Sequence, residues 1–224
     1  MMPNKQQTIL SFLRNLAANN NRDWFNAHKS EFNEAQEAFI DMMDALIQRI
    51  SLFDPETVGI EPKSTVFRIY RDTRFSLDKR PYKQHFGGFV NPLGRKSFSS
   101  GYYFHVEPEN IMLAGGSYGV PKEVLTSIRW SIVGQTERFR DIVEEKEFKT
   151  LYPIIGMERL KTMPKGFPKD FAYPDYLRPK DYDIWCLLTE KEFLSKDWLD
   201  ISAHRFEVMK PFLDFVNETV LDYV

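Results

Sequence analysis

The chain has 224 residues, 42% of them hydrophobic and 28% charged, an ordinary globular mix that excludes a disordered, collagen-like or coiled-coil protein. No apolar run reaches the roughly 20 residues of a membrane span, Met1 to Gln7 carry no apolar signal core, and the single cysteine, Cys186, excludes an internal disulfide, so a cytoplasmic protein without a membrane partner is expected. The formal charge of −2 conceals a segregation: Lys63 to Lys96 holds nine basic residues against Asp72 and Asp78, a net +7, which leaves −9 for the remainder.

The first fifty residues read as helical. Ile9, Phe12, Leu13 and Leu16 recur at helical spacing, with Thr8 as the expected N-cap. Asn19-Asn20-Asn21 breaks that helix, and Trp24 and Phe25 read as core anchors at the start of the next. Phe32, Ala35, Phe39, Met42, Met43, Leu46 and Ile50 make one apolar stripe, expected to stop at Asp54-Pro55.

The middle changes character. Val66 to Arg71, His85 to Val90, Gly101 to Glu107 and Ile111 to Ala114 are short, rich in aromatic or β-branched residues, and separated by turn formers. Connections this short favour hairpins, hence a mainly antiparallel sheet. Pro121 is expected to open a helix, a second should span Thr136 to Phe148, and the proline-rich stretch to Pro179 reads as an irregular excursion. Tyr182 to Leu188 fits one more strand, and Asp197 to Val220 a last helix that Pro211 should kink or restart. The fold class is therefore α+β: one domain over 1–224, with a mainly antiparallel central sheet, helices on its apolar face, and N- and C-terminal helices.

Period-two geometry gives each central strand two unlike faces. Arg68 and Tyr70 oppose Phe67 and Ile69; Tyr103, His105 and Glu107 oppose Tyr102, Phe104 and Val106. Arg68, Arg71, Arg74, Lys79 and Lys83 cannot all be buried without anionic partners. Arginine's fork suits carboxylate or phosphate, so the expected partner is an anionic small molecule, phosphorylated or carboxylated. Tyr82, Tyr103, His85 and His105 would orient it or move protons. If the protein is an enzyme, hydrolysis or transfer with His85 or His105 as general acid or base fits best. A second candidate cradle is the turn at Gly115 and Gly116 before the Pro121 helix, which lacks the spacing of a phosphate loop or dinucleotide fold.

Two other classes stay open. The +7 segment interleaved with aromatics could grip nucleic acid, although a pI near 6.1 argues against it. Alternatively the protein is a non-catalytic structural or interaction protein whose arginines pair internally with Asp72, Asp78, Glu107 or the acidic helices. No cofactor and no metal are expected. The histidines are scattered, and the one trio that could supply metal ligands is His85, His105 and Glu107. Cys186, flanked by Trp185 and Leu187, reads as a core residue. The oligomeric state is not legible.

From Phe67-Arg68-Ile69-Tyr70-Arg71-Asp72-Thr73-Arg74 through Lys79-Arg80-Pro81-Tyr82-Lys83, the chain resembles the bacterial and fungal family known as domain of unknown function 2461. Asn20-Asn21-Arg22-Asp23-Trp24-Phe25, Ser100-Gly101-Tyr102-Tyr103-Phe104-His105, Gly115-Gly116 with Ile128-Arg129, and Pro164-Lys165-Gly166-Phe167 extend the likeness over nearly the whole chain. Leu77 stands where members commonly carry lysine, which removes a charge from the basic string. The resemblance implies a single-domain α+β protein and brings no activity or catalytic residue with it.

Overall fold

The computed structural model describes residues 4–224, so Met1 to Pro3, on which part of the signal-peptide reading fell, lie outside the described residues. Helix α1 (Lys5–Ala18) starts a turn earlier than Thr8 suggests. Asn4 is the true cap, its side chain accepting from the Gln6 N–H at 3.1 Å. Helix α2 (Arg22–Ala27) is capped by Asn21, and α3 (Lys29–Ile50) buries the stripe from Phe32 to Ile50. That helix ends four residues before Asp54, and Pro55–Thr57 forms a 3-10 turn instead. A short α4 (Pro62–Thr65) leads into the basic segment.

Strands β1 (Phe86–Val90), β2 (Gly101–Glu107), β3 (Asn110–Ser117) and β4 (Tyr182–Leu188) form one antiparallel sheet in the order β1-β2-β3-β4. The expected strand at Val66 to Arg71 is reduced to two isolated bridges, Val66 to Gly88 and Tyr70 to Tyr82. Pro81 accepts from the Arg71 N–H but has no N–H to return, so a continuous ladder cannot extend along this segment. Strand β3 runs through Gly115 and Gly116, where a turn was expected.

Helix α5 (Lys122–Gly134) follows Pro121. The expected helix from Thr136 to Phe148 is two, α6 (Thr136–Val143) and α7 (Lys146–Leu151), because the Glu145 carboxylate caps the second through the Phe148 N–H at 2.7 Å. After a short α8 (Pro174–Leu177), β4 leads to α9 (Glu190–Leu194) and α10 (Trp198–Val220). Helix α10 continues through Pro211. Buried Met209, Phe212, Leu213, Phe215 and Val216 on both sides of the proline anchor it, which outweighs one lost backbone bond. Among the described residues no helix is long and apolar enough to cross a membrane.

The described residues group into two compact units. The first comprises the chain up to Arg95, Tyr103–Leu113 and Leu187–Ala203. Phe86 centres its core, 5.4 Å from Phe39, 6.2 Å from Phe12 and 6.3 Å from Phe32, and Phe39 continues to Phe104 at 5.8 Å. Helix α3 lies so close to β1 that a Cβ on Gly88 would stand 2.5 Å from Met43 Sδ. The second unit comprises Lys96–Tyr102, Ala114–Cys186 and His204–Val224. Phe139 packs there against Phe212 and Phe215. Cys186 is buried in this core with its Sγ 3.8 Å from Tyr152 Oη.

Candidate functional site: a polar sheet face in the first unit

Strand β2 keeps the alternation its sequence dictates. Tyr102, Phe104 and Val106 are fully buried, whereas Tyr103, His105 and Glu107 share the other face. Tyr103 Oη lies 3.1 Å from His105 Nδ1, and His105 Nε2 lies 3.4 Å from Glu107 Oε2. Asn110, the first residue of β3, donates from Nδ2 to Glu107 Oε2 at 3.3 Å. His85, one residue before β1, brings its ring within 4.3 Å of the His105 ring. A Cβ on Gly87 would stand 2.7 Å from Tyr103 Oη, so the glycine gives the tyrosine its place on this face.

Burial is the leading cause of the electrostatics here. It pushes His85 down to about 4, with help from His105 and Lys83 and against the opposing charge of Glu107. It lowers His105 as well, although the Glu107 carboxylate resists. Burial and then Glu107 raise the Tyr103 hydroxyl to about 12. Burial therefore favours the neutral form of both imidazoles and of the Tyr103 phenol.

Cations gather at the edge of this face around Phe67. The Lys83 ammonium lies 5.5 Å and the Arg95 guanidinium 5.4 Å from the Phe67 ring centre, and Phe67 meets Tyr103 edge-on at 6.2 Å. Arg95 also donates to the Val66 carbonyl. Burial, then the like charges of Arg68 and Arg95, hold Lys83 below the ordinary lysine value. Among the described residues no ion pair involves Arg68, Lys83 or Arg95. Arg95 belongs to the +7 segment but was not among the contacts singled out from sequence. Its distance along the chain from Lys83 hid it.

The remaining basic candidates stand elsewhere. Arg71 pairs with Asp78 at 2.6 Å, Arg80 with the same carboxylate at 2.7 Å, and Arg74 with Asp72 at 2.7 Å. Lys79 donates to the Thr73 carbonyl at 3.0 Å. The Arg80 side chain and backbone, then Arg71, hold Asp78 far below the usual carboxylate range. Two carboxylates thus engage Arg71, Arg74 and Arg80 within and beside the loop from Asp72 to Arg80, which stays net basic. Tyr82 is buried and stacks on Phe25 at 4.0 Å, which places its ring in the core.

Asn20 supplies a feature the sequence did not disclose. Its side-chain amide accepts from the Tyr82 N–H at 3.1 Å and donates to the Tyr82 carbonyl at 3.0 Å, as a neighbouring strand would. Asn21 caps α2 through the Trp24 N–H at 2.9 Å. The Asn-Asn step therefore fixes the basic segment to the helical layer. Gly115 and Gly116 belong to the second unit and are occupied by packing. A Cβ on Gly116 would fall 2.1 Å from the Tyr182 carbonyl oxygen, and one on Gly115 2.4 Å from Met209 Sδ.

Comparison with curated proteins and with solved structures finds no match to this chain. The family model described as a conserved hypothetical protein, DUF2461, matches residues 8–215. That span takes in the Asn20-Asn21 step, the basic string and the polar strand face, and the chain belongs to the DUF2461 family.

Proposed function

We propose that the protein binds an anionic small ligand, phosphorylated or carboxylated, at the edge of the polar face, with Arg68, Lys83 and Arg95 as its contacts. One observation carries this reading: Lys83 and Arg95 are drawn onto the two-cation platform of Phe67 with no carboxylate in ion pair with them among the described residues. Like charges brought together at a half-buried position oppose folding, and an anion between them reverses the sign. Tyr103 and the neutral histidines add hydrogen-bond partners for a bound oxyanion or ester.

This reading narrows the set that the sequence suggested. Arg71, Arg74 and Lys79 hold the 72–80 loop together, so a structural role suits them better. The test is thermal denaturation of chelator-treated protein against a panel of phosphate, sulfate, nucleotides, sugar phosphates and dicarboxylates. At least one anion should raise the melting temperature, and Arg68→Ala or Lys83→Ala should weaken its binding about tenfold, the factor matching about 1.4 kcal/mol. Arg74→Ala should leave it unchanged. A flat response across the panel, or equal loss in Arg74→Ala, overturns the reading.

A further inference from the structure

We infer that His85, His105 and Glu107 form a site for a divalent transition-metal ion, zinc or a metal of similar preference, with at least one coordination position open. The metal ligands are distinct from the cations Arg68, Lys83 and Arg95 that carry the anion reading, so the inference stands whether or not that reading holds.

Two parts of the chain converge to make this trio. The period-two alternation of β2 sets His105 and Glu107 on one face, two residues apart. The neighbouring strand β1 delivers His85 beside them. One donor atom from each residue lies within 4.8 Å of the other two. Two imidazoles and a carboxylate are the donor set of open zinc sites and of other imidazole-preferring divalent metals, and three protein ligands leave room for water or substrate.

The spacing within β2 fits this chemistry. His105 Nε2 and Glu107 Oε2 are 3.4 Å apart, longer than the usual 2.7–2.9 Å of a charge-assisted hydrogen bond. Two ligands bound at about 2.0–2.2 Å around a tetrahedral ion stand about 3.4 Å from each other. The pair is therefore already at metal-ligand separation, and closing the site requires only a small movement of the His85 ring.

The outer partners are also in place. A metal-bound imidazole ordinarily anchors its other nitrogen, and His105 Nδ1 has Tyr103 Oη at 3.1 Å. Ligating carboxylates are themselves hydrogen-bonded, and Glu107 Oε2 receives Asn110 Nδ2 at 3.3 Å. The missing side chain at Gly87 leaves Tyr103 its position over His105. Access is graded: the His105 side chain is 10% exposed and that of Glu107 32%, so the carboxylate side of the site opens to solvent. One carboxylate against a divalent ion leaves a residual positive charge, which favours an anion in the open position.

Stoichiometry decides the matter. Protein stripped with chelator and dialysed against equimolar Zn²⁺, or Co²⁺ as a spectroscopic probe, should retain one ion per chain. Cobalt should show the absorption of a low-coordinate nitrogen and oxygen site. Glu107→Gln and His85→Asn, both conservative in size, should each lower metal affinity about 100-fold. Tyr103→Phe, which keeps all three ligands, should lower it about 10- to 100-fold. His204→Ala, which removes a surface imidazole paired with Glu147, should bind as the parent does. No uptake of Zn²⁺, Co²⁺, Mn²⁺, Fe²⁺ or Ni²⁺ by the folded parent overturns the inference, as does uptake undiminished by Glu107→Gln and His85→Asn. The anion panel on stripped protein reports separately on Arg68, Lys83 and Arg95, so failure of one reading is visible apart from the other.

Discussion

Single side chains in this protein are constrained by their immediate surroundings in ways that can be read as stability. Asp183 on β4 is 8% exposed, and burial pushes its carboxyl up to about 6, against a backbone hydrogen bond from Met157. A folded value above the unfolded 3.8 means the folded state holds its proton longer. Stability from this group is therefore fully present below pH 3.8 and is lost as pH rises through about 6. The difference amounts to about 3 kcal/mol at pH 7. Asp183→Asn keeps the acceptor for Met157 and removes the charge. It should stabilise the protein at pH 7 by up to about 3 kcal/mol and by almost nothing at pH 4, as urea unfolding at the two pH values would show. Gly116 presents the opposite case. Its φ of 120° lies in glycine territory and any Cβ would strike the Tyr182 carbonyl. Gly116→Ala should cost about 3 kcal/mol or more, measured the same way.

At the scale of elements, the basic segment is held by two devices. The Asn20 amide replaces a strand partner for Tyr82, and Phe25 stacks on the Tyr82 ring from the same helical layer. Asn20→Ala leaves a part-buried backbone N–H and C=O without that partner and should destabilise by about 1–3 kcal/mol. Asn20→Asp keeps the acceptor and loses the donor, so its unfolding midpoint should fall between those of Ala and the parent. The second device is the self-paired loop, in which Asp78 receives both Arg71 and Arg80. Its tip exposes Phe75 and Leu77 almost completely. Asp78→Asn should loosen the loop locally. Limited trypsin digestion should then cut faster after Arg74 and Lys79, while the melting temperature of the whole protein changes little.

For the whole molecule, the net charge is a sum of parts with different fates. Asp72 and Asp78 engage Arg71, Arg74 and Arg80 but offset only two of those three charges, whereas Arg68, Lys83 and Arg95 gather beside the polar face. Anion-induced stabilisation should therefore weaken as an inert salt is raised, because the cations stand at the rim where the Debye length is about 8–10 Å near physiological ionic strength. A melting-temperature shift that is constant from low to high salt would mean that the anion acts through general exclusion from the surface.

Sequence periodicity alone determined the elements whose code is local. The stripe of α3, the limits of β2 and β4, and the split of β2 into a buried apolar face and a face of Tyr103, His105 and Glu107 all follow from repeats of 3.6 and 2. The α+β class follows from the same repeats and the short connections. What the sequence could not decide depended on partners distant along the chain. Arg71 and Arg74 stood open between an external anion and internal pairing until the folded loop brought them Asp78 and Asp72. Tyr82 read as a ligand contact until Phe25, 57 positions earlier, covered its ring. Gly115 and Gly116 read as an anion cradle until Met209 and the Tyr182 carbonyl filled the space above them. Only tertiary structure brought His85 to His105 and Arg95 to Lys83, because a strand fixes which face a side chain takes, whereas the neighbour opposite it is set by sheet pairing.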